Sequence, residues 1–115
     1  MKDLLTIVST THIHEYAPSI EILEKNLKSS YDKFKGIKGC KHVLYVDSKK
    51  KDEIYNQYIK NILNLVDNKF QGIEVIDSPN SGLRPNYWHA INTCSTPYML
   101  FIEHDWDILH PIDTP

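Results

Sequence analysis

An α/β fold is predicted, with an open, mainly parallel four-stranded sheet and helices on both faces. Three observations predict it. Four short apolar, β-branched runs are spaced along the chain, at Leu4–Val8, Val43–Val46, Ile73–Ile76 and Tyr98–Ile102. Between each pair lies a segment whose apolar residues recur at helical spacing. Strand and helix therefore alternate, and alternation of this kind buries a parallel sheet between helices.

Leu4-Leu5-Thr6-Ile7-Val8 reads as a buried strand that ends at Ser9-Thr10-Thr11. Pro18 suits a first helical turn, and Ile20, Leu23, Leu27, Tyr31 and Phe34 then repeat along one helix face. Gly36 and Gly39 break that pattern. The second strand, Val43–Val46, ends at Asp47-Ser48. A lysine-rich turn leads to a helix through Ile54, Tyr58, Ile62 and Leu65, ending near Asp67-Asn68. The third strand, Ile73–Ile76, ends at Asp77-Ser78-Pro79, and the charge of Glu74 suits an edge position. Asn80-Ser81-Gly82 is a turn. Pro85 opens the next helix and biases Arg84 towards an extended conformation. Trp88, Ile91 and Ser95 share one face of that helix, and Thr96-Pro97 ends it. The run Tyr98–Ile102 is apolar throughout, which implies a fourth strand covered on both faces.

At 115 residues the chain forms one domain, residues 1–115. With 13 basic against 15 acidic residues there is no broad basic field, so no nucleic-acid partner is expected. Cys40 and Cys94 lie far apart without CxxC spacing, and the N-terminal apolar stretch is too short for a signal peptide. No apolar run of about 18 residues suggests a membrane span. Free thiols and a cytoplasmic location follow as expectations.

In open parallel sheets, ligands bind beyond the carboxyl ends of the strands. Here those ends carry Thr10-Thr11-His12, Asp47-Ser48, Asp77-Ser78 and Glu103-His104-Asp105. If the extended conformation persists, Glu103 and Asp105 point one way and His104 the other. Two carboxylates on one side repel, and a divalent ion with hard oxygen ligands, Mg2+ or Mn2+, relieves the conflict. The alternative is a solvated acidic loop beyond a strand. His12-Ile13-His14, with His104 nearby, has the spacing of a zinc site, but no CxxC or HExxH accompanies it and the reading without a metal is the stronger one. Neither GxGxxG nor GxxxxGK[ST] occurs, which argues against the usual dinucleotide and P-loop sites. The tyrosines and Trp88 read as packing rather than as a sugar platform. Trp106, beside the acidic cluster, suits packing and rim shaping equally.

The order of these features resembles a GT-A type glycosyltransferase of the family-two, inverting kind. The residues that carry the resemblance are the strand ending in Ser9-Thr10-Thr11, then Val43-Leu-Tyr-Val-Asp47-Ser48, then Asn80-Ser-Gly82 with Arg84-Pro-Asn86. Tyr98-Met-Leu-Phe-Ile-Glu103-His-Asp105 completes the set, in the place of a D-x-D motif. The resemblance covers nearly the whole chain. It implies a site for a nucleoside diphosphate sugar, UDP- or GDP-linked. Thr10 and Thr11 would cradle the nucleotide, Asp47 would contact the base, and Arg84 would help hold the base or diphosphate. Glu103 and Asp105 would meet the ribose and a Mn2+ or Mg2+ on the diphosphate. The chain departs from the family in having glutamate at the first D-x-D position and in placing Arg84 a few residues early. The family continues with an acceptor-binding half and a catalytic base, and Asp113 stands too close to the end of the chain to be expected in that role. The expectation is therefore a donor-binding half whose own transfer activity is in question, with a non-catalytic interaction domain or a His/Asp metal-dependent hydrolase as alternatives. An uncovered apolar fourth strand would favour a homo-oligomer through the sheet edge.

Overall fold

The computed structural model describes residues 3–12, 19–34, 36–47, 53–77 and 83–104. Its elements run β1 (Leu5–His12), α1 (Glu21–Lys33), β2 (Lys41–Asp47), α2 (Glu53–Lys69), β3 (Ile73–Asp77), α3 (Leu83–Thr93) and β4 (Tyr98–Glu103). All strand pairings are parallel and the sheet order is β3-β2-β1-β4. The predicted α/β architecture is the observed one, with two central strands and two edges.

Side-chain alternation divides the sheet into two faces. On one, Leu44, Val46 and Ile73 pack against Leu23 and Leu27 of α1 and Tyr55, Tyr58, Ile62, Leu65 and Val66 of α2. Leu5, Ile7 and Ile102 extend this face to Phe34, Ile37 and Cys40 beyond α1. On the other face, Val8, Val43 and Tyr45 meet Ala90 of α3. Helices thus cover both faces.

Several boundaries differ from the sequence expectation. β1 runs Leu5–His12, past the expected end at Ser9-Thr10-Thr11, because it pairs with β2 as far as His12 and Asp47. On α2, Tyr55 is buried where Ile54 was expected, and Ile54 is 41 % exposed. α3 starts at Leu83, so Arg84 is helical and Pro85 is the third helical residue. The first-turn amides have no intrahelical acceptor, so a proline there forfeits no hydrogen bond. α3 ends at Thr93 and excludes Ser95. Among its described side chains Asn86 and Ala90 are buried, while Trp88 and Ile91 are exposed. β3 is an edge strand, as Glu74 suggested. β4 is the other edge, and cover on both faces is not what it has: only Ile102 is fully buried and Tyr98 is 66 % exposed.

The central strand carries polar side chains into the interior. Ser9 Oγ lies 2.7 Å from His42 Nε2, and His42 Nδ1 lies 2.8 Å from the Tyr31 hydroxyl, so α1, β2 and β1 are tied through one imidazole. Burial alone lowers the His42 pKa from 6.5 to about 4. The Tyr31 hydroxyl is pushed up to about 12, first by burial and then by Cys40, and stays protonated.

Two predictions arise from this packing. Leu44→Ala, at a fully buried site on β2, should cost roughly 2–5 kcal/mol in urea unfolding. The second concerns pH. Because His42 binds its proton more weakly in the folded state, the unfolded chain takes up the extra proton as pH falls from 6.5 towards 4. The His42 contribution is full above pH 6.5 and lost through that window, on the order of 3 kcal/mol in total. Unfolding curves of wild type and His42→Leu at pH 7 and pH 4.5 should show a steeper acid loss in the wild type. Equal loss in both would refute it.

Candidate functional site at the strand carboxyl ends

The sheet order creates a switch point. From β1 the chain steps outwards to β2 and β3, then returns across the sheet to place β4 on the opposite side of β1. In open parallel sheets, ligands bind beyond the carboxyl ends of the strands at such a reversal of strand order, here beside β1 and β4. Parallel pairing fixes which residues reach this rim. Thr10 is level with Glu103, His12 with Asp47, and Val46 with Asp77. The polar strand ends foreseen in the sequence therefore do share one edge of the molecule.

Their side chains divide between the two faces. Thr10 and Glu103 lie on the α3 face, both half-buried. The Tyr87 hydroxyl donates to Glu103 Oε1 at 3.4 Å, and the Tyr87 ring packs on Phe101 with centroids 4.4 Å apart. Burial, then the Glu103 charge, raises the Tyr87 pKa, so the phenol is a donor to that carboxylate. Thr11 and His104 lie on the α1/α2 face. Thr11 is buried, and its hydroxyl is 2.6 Å from both the Tyr58 hydroxyl and His104 Nδ1. Glu103 and His104 thus point to opposite faces, as strand alternation requires.

Asp47 ends β2 half-buried, and Asp77 ends β3 exposed. The Tyr55 hydroxyl donates to Asp77 Oδ1 and to the Val46 carbonyl. Burial and then Asp77 raise the Tyr55 pKa, with Asp47 adding to it. Arg84 is exposed in the first turn of α3. It lines an open groove of about 350 Å3 with Tyr87, Trp88 and Ile91. Tyr87 borders both places, its ring on the groove and its hydroxyl on Glu103. Trp88 is 55 % exposed rather than packed inside.

Asp105, His14, Trp106, Asp107 and Asp113 lie outside the described residues. Among the described residues no three His, Cys, Asp or Glu side chains come together to hold a metal. Glu103 offers one carboxylate, and a Mn2+ or Mg2+ at Glu103 and Asp105 depends on a residue beyond that set.

Tyr55, Tyr58 and Tyr87 are the residues of the candidate site that sequence reasoning passed over. Tyr55 and Tyr58 bury their rings, Tyr87 packs its half-buried ring on Phe101, and each bonds a strand-end residue through its hydroxyl. The signal available was the Tyr55/Tyr58 spacing on one helix face, three residues apart.

Tyr58→Phe keeps the ring and removes the hydroxyl that holds Thr11. It should cost about 1 kcal/mol in urea unfolding and shift the His104 imidazole resonances in NMR spectra. Unmoved His104 resonances would show that the relay does not hold that ring. No known protein-family model matches the chain, and no curated protein sequence matches it.

Proposed function

We propose that this domain binds a nucleoside diphosphate sugar at the β1–β4 switch point, as the donor-binding part of a glycosyltransferase. One observation carries the reading: Thr10 and Glu103 stand level at that switch point, with Tyr87 donating to Glu103 beside them. A carboxylate held by a phenol at this position accepts from ribose hydroxyls. Asp47 and Asp77, at the next two strand ends, offer acceptors for the donors of a base. Arg84, on the α3 turn nearest Tyr87, is the chain's one guanidinium for a diphosphate. A Mn2+ or Mg2+ bound with Glu103 and Asp105 supplies positive charge against the departing diphosphate. The order of sequence features that resembles family-two enzymes supports the same reading.

Isothermal calorimetry with UDP and GDP, each with and without Mn2+, tests it. Saturable heat with one base is expected, stronger with metal, and Asp105→Ala should remove the metal-dependent part. Absence of heat and of thermal shift with either nucleotide would sink the proposal.

Self-association through β4 is the accompanying proposal. The Tyr98 and His104 amides bond to Leu4 and Thr10, so Met99, Phe101 and Glu103 turn their backbone groups outwards from the sheet. An edge of that kind invites a second strand. Sedimentation at micromolar concentration should give a dimer, and a compact monomer would count against it.

A further inference from the structure

Among the described residues the sheet has two edges, and they are guarded differently. β3 carries Glu74 exposed within it and ends on the exposed Asp77. β4 reads Tyr98-Met-Leu-Phe-Ile before its first charge, at Glu103, and holds neither lysine nor proline. It pairs with β1 in unbroken register from Tyr98 to Glu103, so no bulge turns it away. Charges, prolines and bulges are the usual means of blunting an edge. The five residues Tyr98 to Ile102 have none of them.

Beside this edge lies the groove on α3. Tyr87 packs on Phe101 of β4, whereas His89 bonds Tyr45 of β2. The helix therefore turns its Tyr87 flank towards β4, and at 3.6 residues per turn Arg84, Trp88 and Ile91 fall on that same flank. These four residues line the groove, with Trp88 and Ile91 exposed. Met99 and Phe101 of β4 lie half-buried on the same face of the sheet.

We propose that a second copy of this chain covers the edge and the groove together, by two-fold antiparallel pairing of β4 with β4 of the copy. This rests on the self-association through β4 stated above and adds its symmetry, its register and the α3 groove as half of the contact. A lone foreign strand would satisfy the backbone of β4 and leave the groove open to water. A copy brings a strand and a groove at once, and a two-fold axis normal to the sheet sets both grooves on the same side.

The register follows from the residues. Met99, Phe101 and Glu103 turn their backbone groups outwards and their side chains to the α3 face. Antiparallel pairing opposes such residues. Centring on Glu103 would set two carboxylates against each other. Centring on Met99 would oppose Phe101 to Pro97, which has no N–H to give. Centring on Phe101 pairs all three among themselves, Phe101 with its copy and Met99 with Glu103. α3 packs over β1 and β2, so it stands at least three strand spacings, about 14 Å, from its copy. Helices in direct contact lie about 8–10 Å apart. The large Tyr87 and Trp88 side chains of both copies close that gap above Phe101.

Sedimentation of the full chain tests this, with the wild type a dimer at micromolar concentration. Trp88→Glu, at an exposed position, should weaken dimerisation at least tenfold with circular dichroism unchanged. Leu63→Glu, exposed on α2 at the other face, should leave the dimer intact. In a Cys94→Ser background, Phe101→Cys should give a disulfide-linked dimer under mild oxidation, since opposed Cα atoms about 5.5 Å apart lie within disulfide reach. Met99→Cys, roughly 14 Å from its copy in this register, should not cross-link. A wild-type monomer removes the β4 association itself and this interface with it. A wild-type dimer that Trp88→Glu leaves intact keeps the association and overturns this interface. So does Phe101→Cys that dimerises without cross-linking, or Met99→Cys that cross-links as readily.

Discussion

β1 is hydrogen-bonded along both edges, and the rest of the molecule depends on that placement. Between β2 and β4 it lies under helices on both faces, so the side chains of Leu5 to Ser9 and of Thr11 are buried. Yet four of its eight residues carry hydroxyls: Thr6, Ser9, Thr10 and Thr11. A buried hydroxyl without a partner costs roughly 1–3 kcal/mol. Three of these hydroxyls meet the requirement by reaching a different element. Thr6 bonds to Thr96 just before β4, Ser9 to His42 of β2 and through it to Tyr31 of α1, and Thr11 to Tyr58 of α2 and to His104. The polar atoms of one strand thereby set the positions of α1, α2 and both flanking strands. Apolar contacts supply most of the stability, and the hydroxyls supply the register.

Tyrosine performs the complementary task. Tyr31, Tyr45, Tyr55 and Tyr58 bury rings in the core or against it. Each hydroxyl then bonds a polar group: Tyr31 to His42, Tyr45 to His89, Tyr55 to Asp77 and Tyr58 to Thr11. A ring buried in the core with a hydroxyl at its far end carries packing outwards to the rim. This is why the candidate site is rigidly tied to the interior even though its outermost groups stand at strand ends. Tyr87 does the same on the α3 face, joining Phe101 to Glu103.

Legibility in the sequence followed locality. The four strands and three helices were readable because hydrophobic period is a property of neighbouring residues. The edge position of β3 was readable for the same reason, from Glu74 alone. The apolar run of β4 misled, since continuous apolarity is compatible with a buried strand and also with an edge whose cover is partial. Arg84 misled too: the bias before proline is weaker than the gain from starting α3 two residues earlier. That Thr10, Thr11, Asp47 and Glu103 share one rim was legible because parallel strands put all such ends on one side. Their phenolic partners were not, because Tyr58 meets Thr11 across 47 positions of chain and Tyr87 meets Glu103 from another face.

The sequence by itself determined the element types, the parallel direction and the collection of polar strand ends on one rim. Each of those follows from periodicity and chain connectivity. Only the tertiary structure decided the order β3-β2-β1-β4, and with it the switch point between β1 and β4. It also decided that His12 and His104, distant in sequence, stand ring against ring while Glu103 turns to the other face. Strand order is settled by how three helices with different apolar faces divide between two sides of a sheet. That is a balance of whole-surface burial, and no local stretch of residues encodes it.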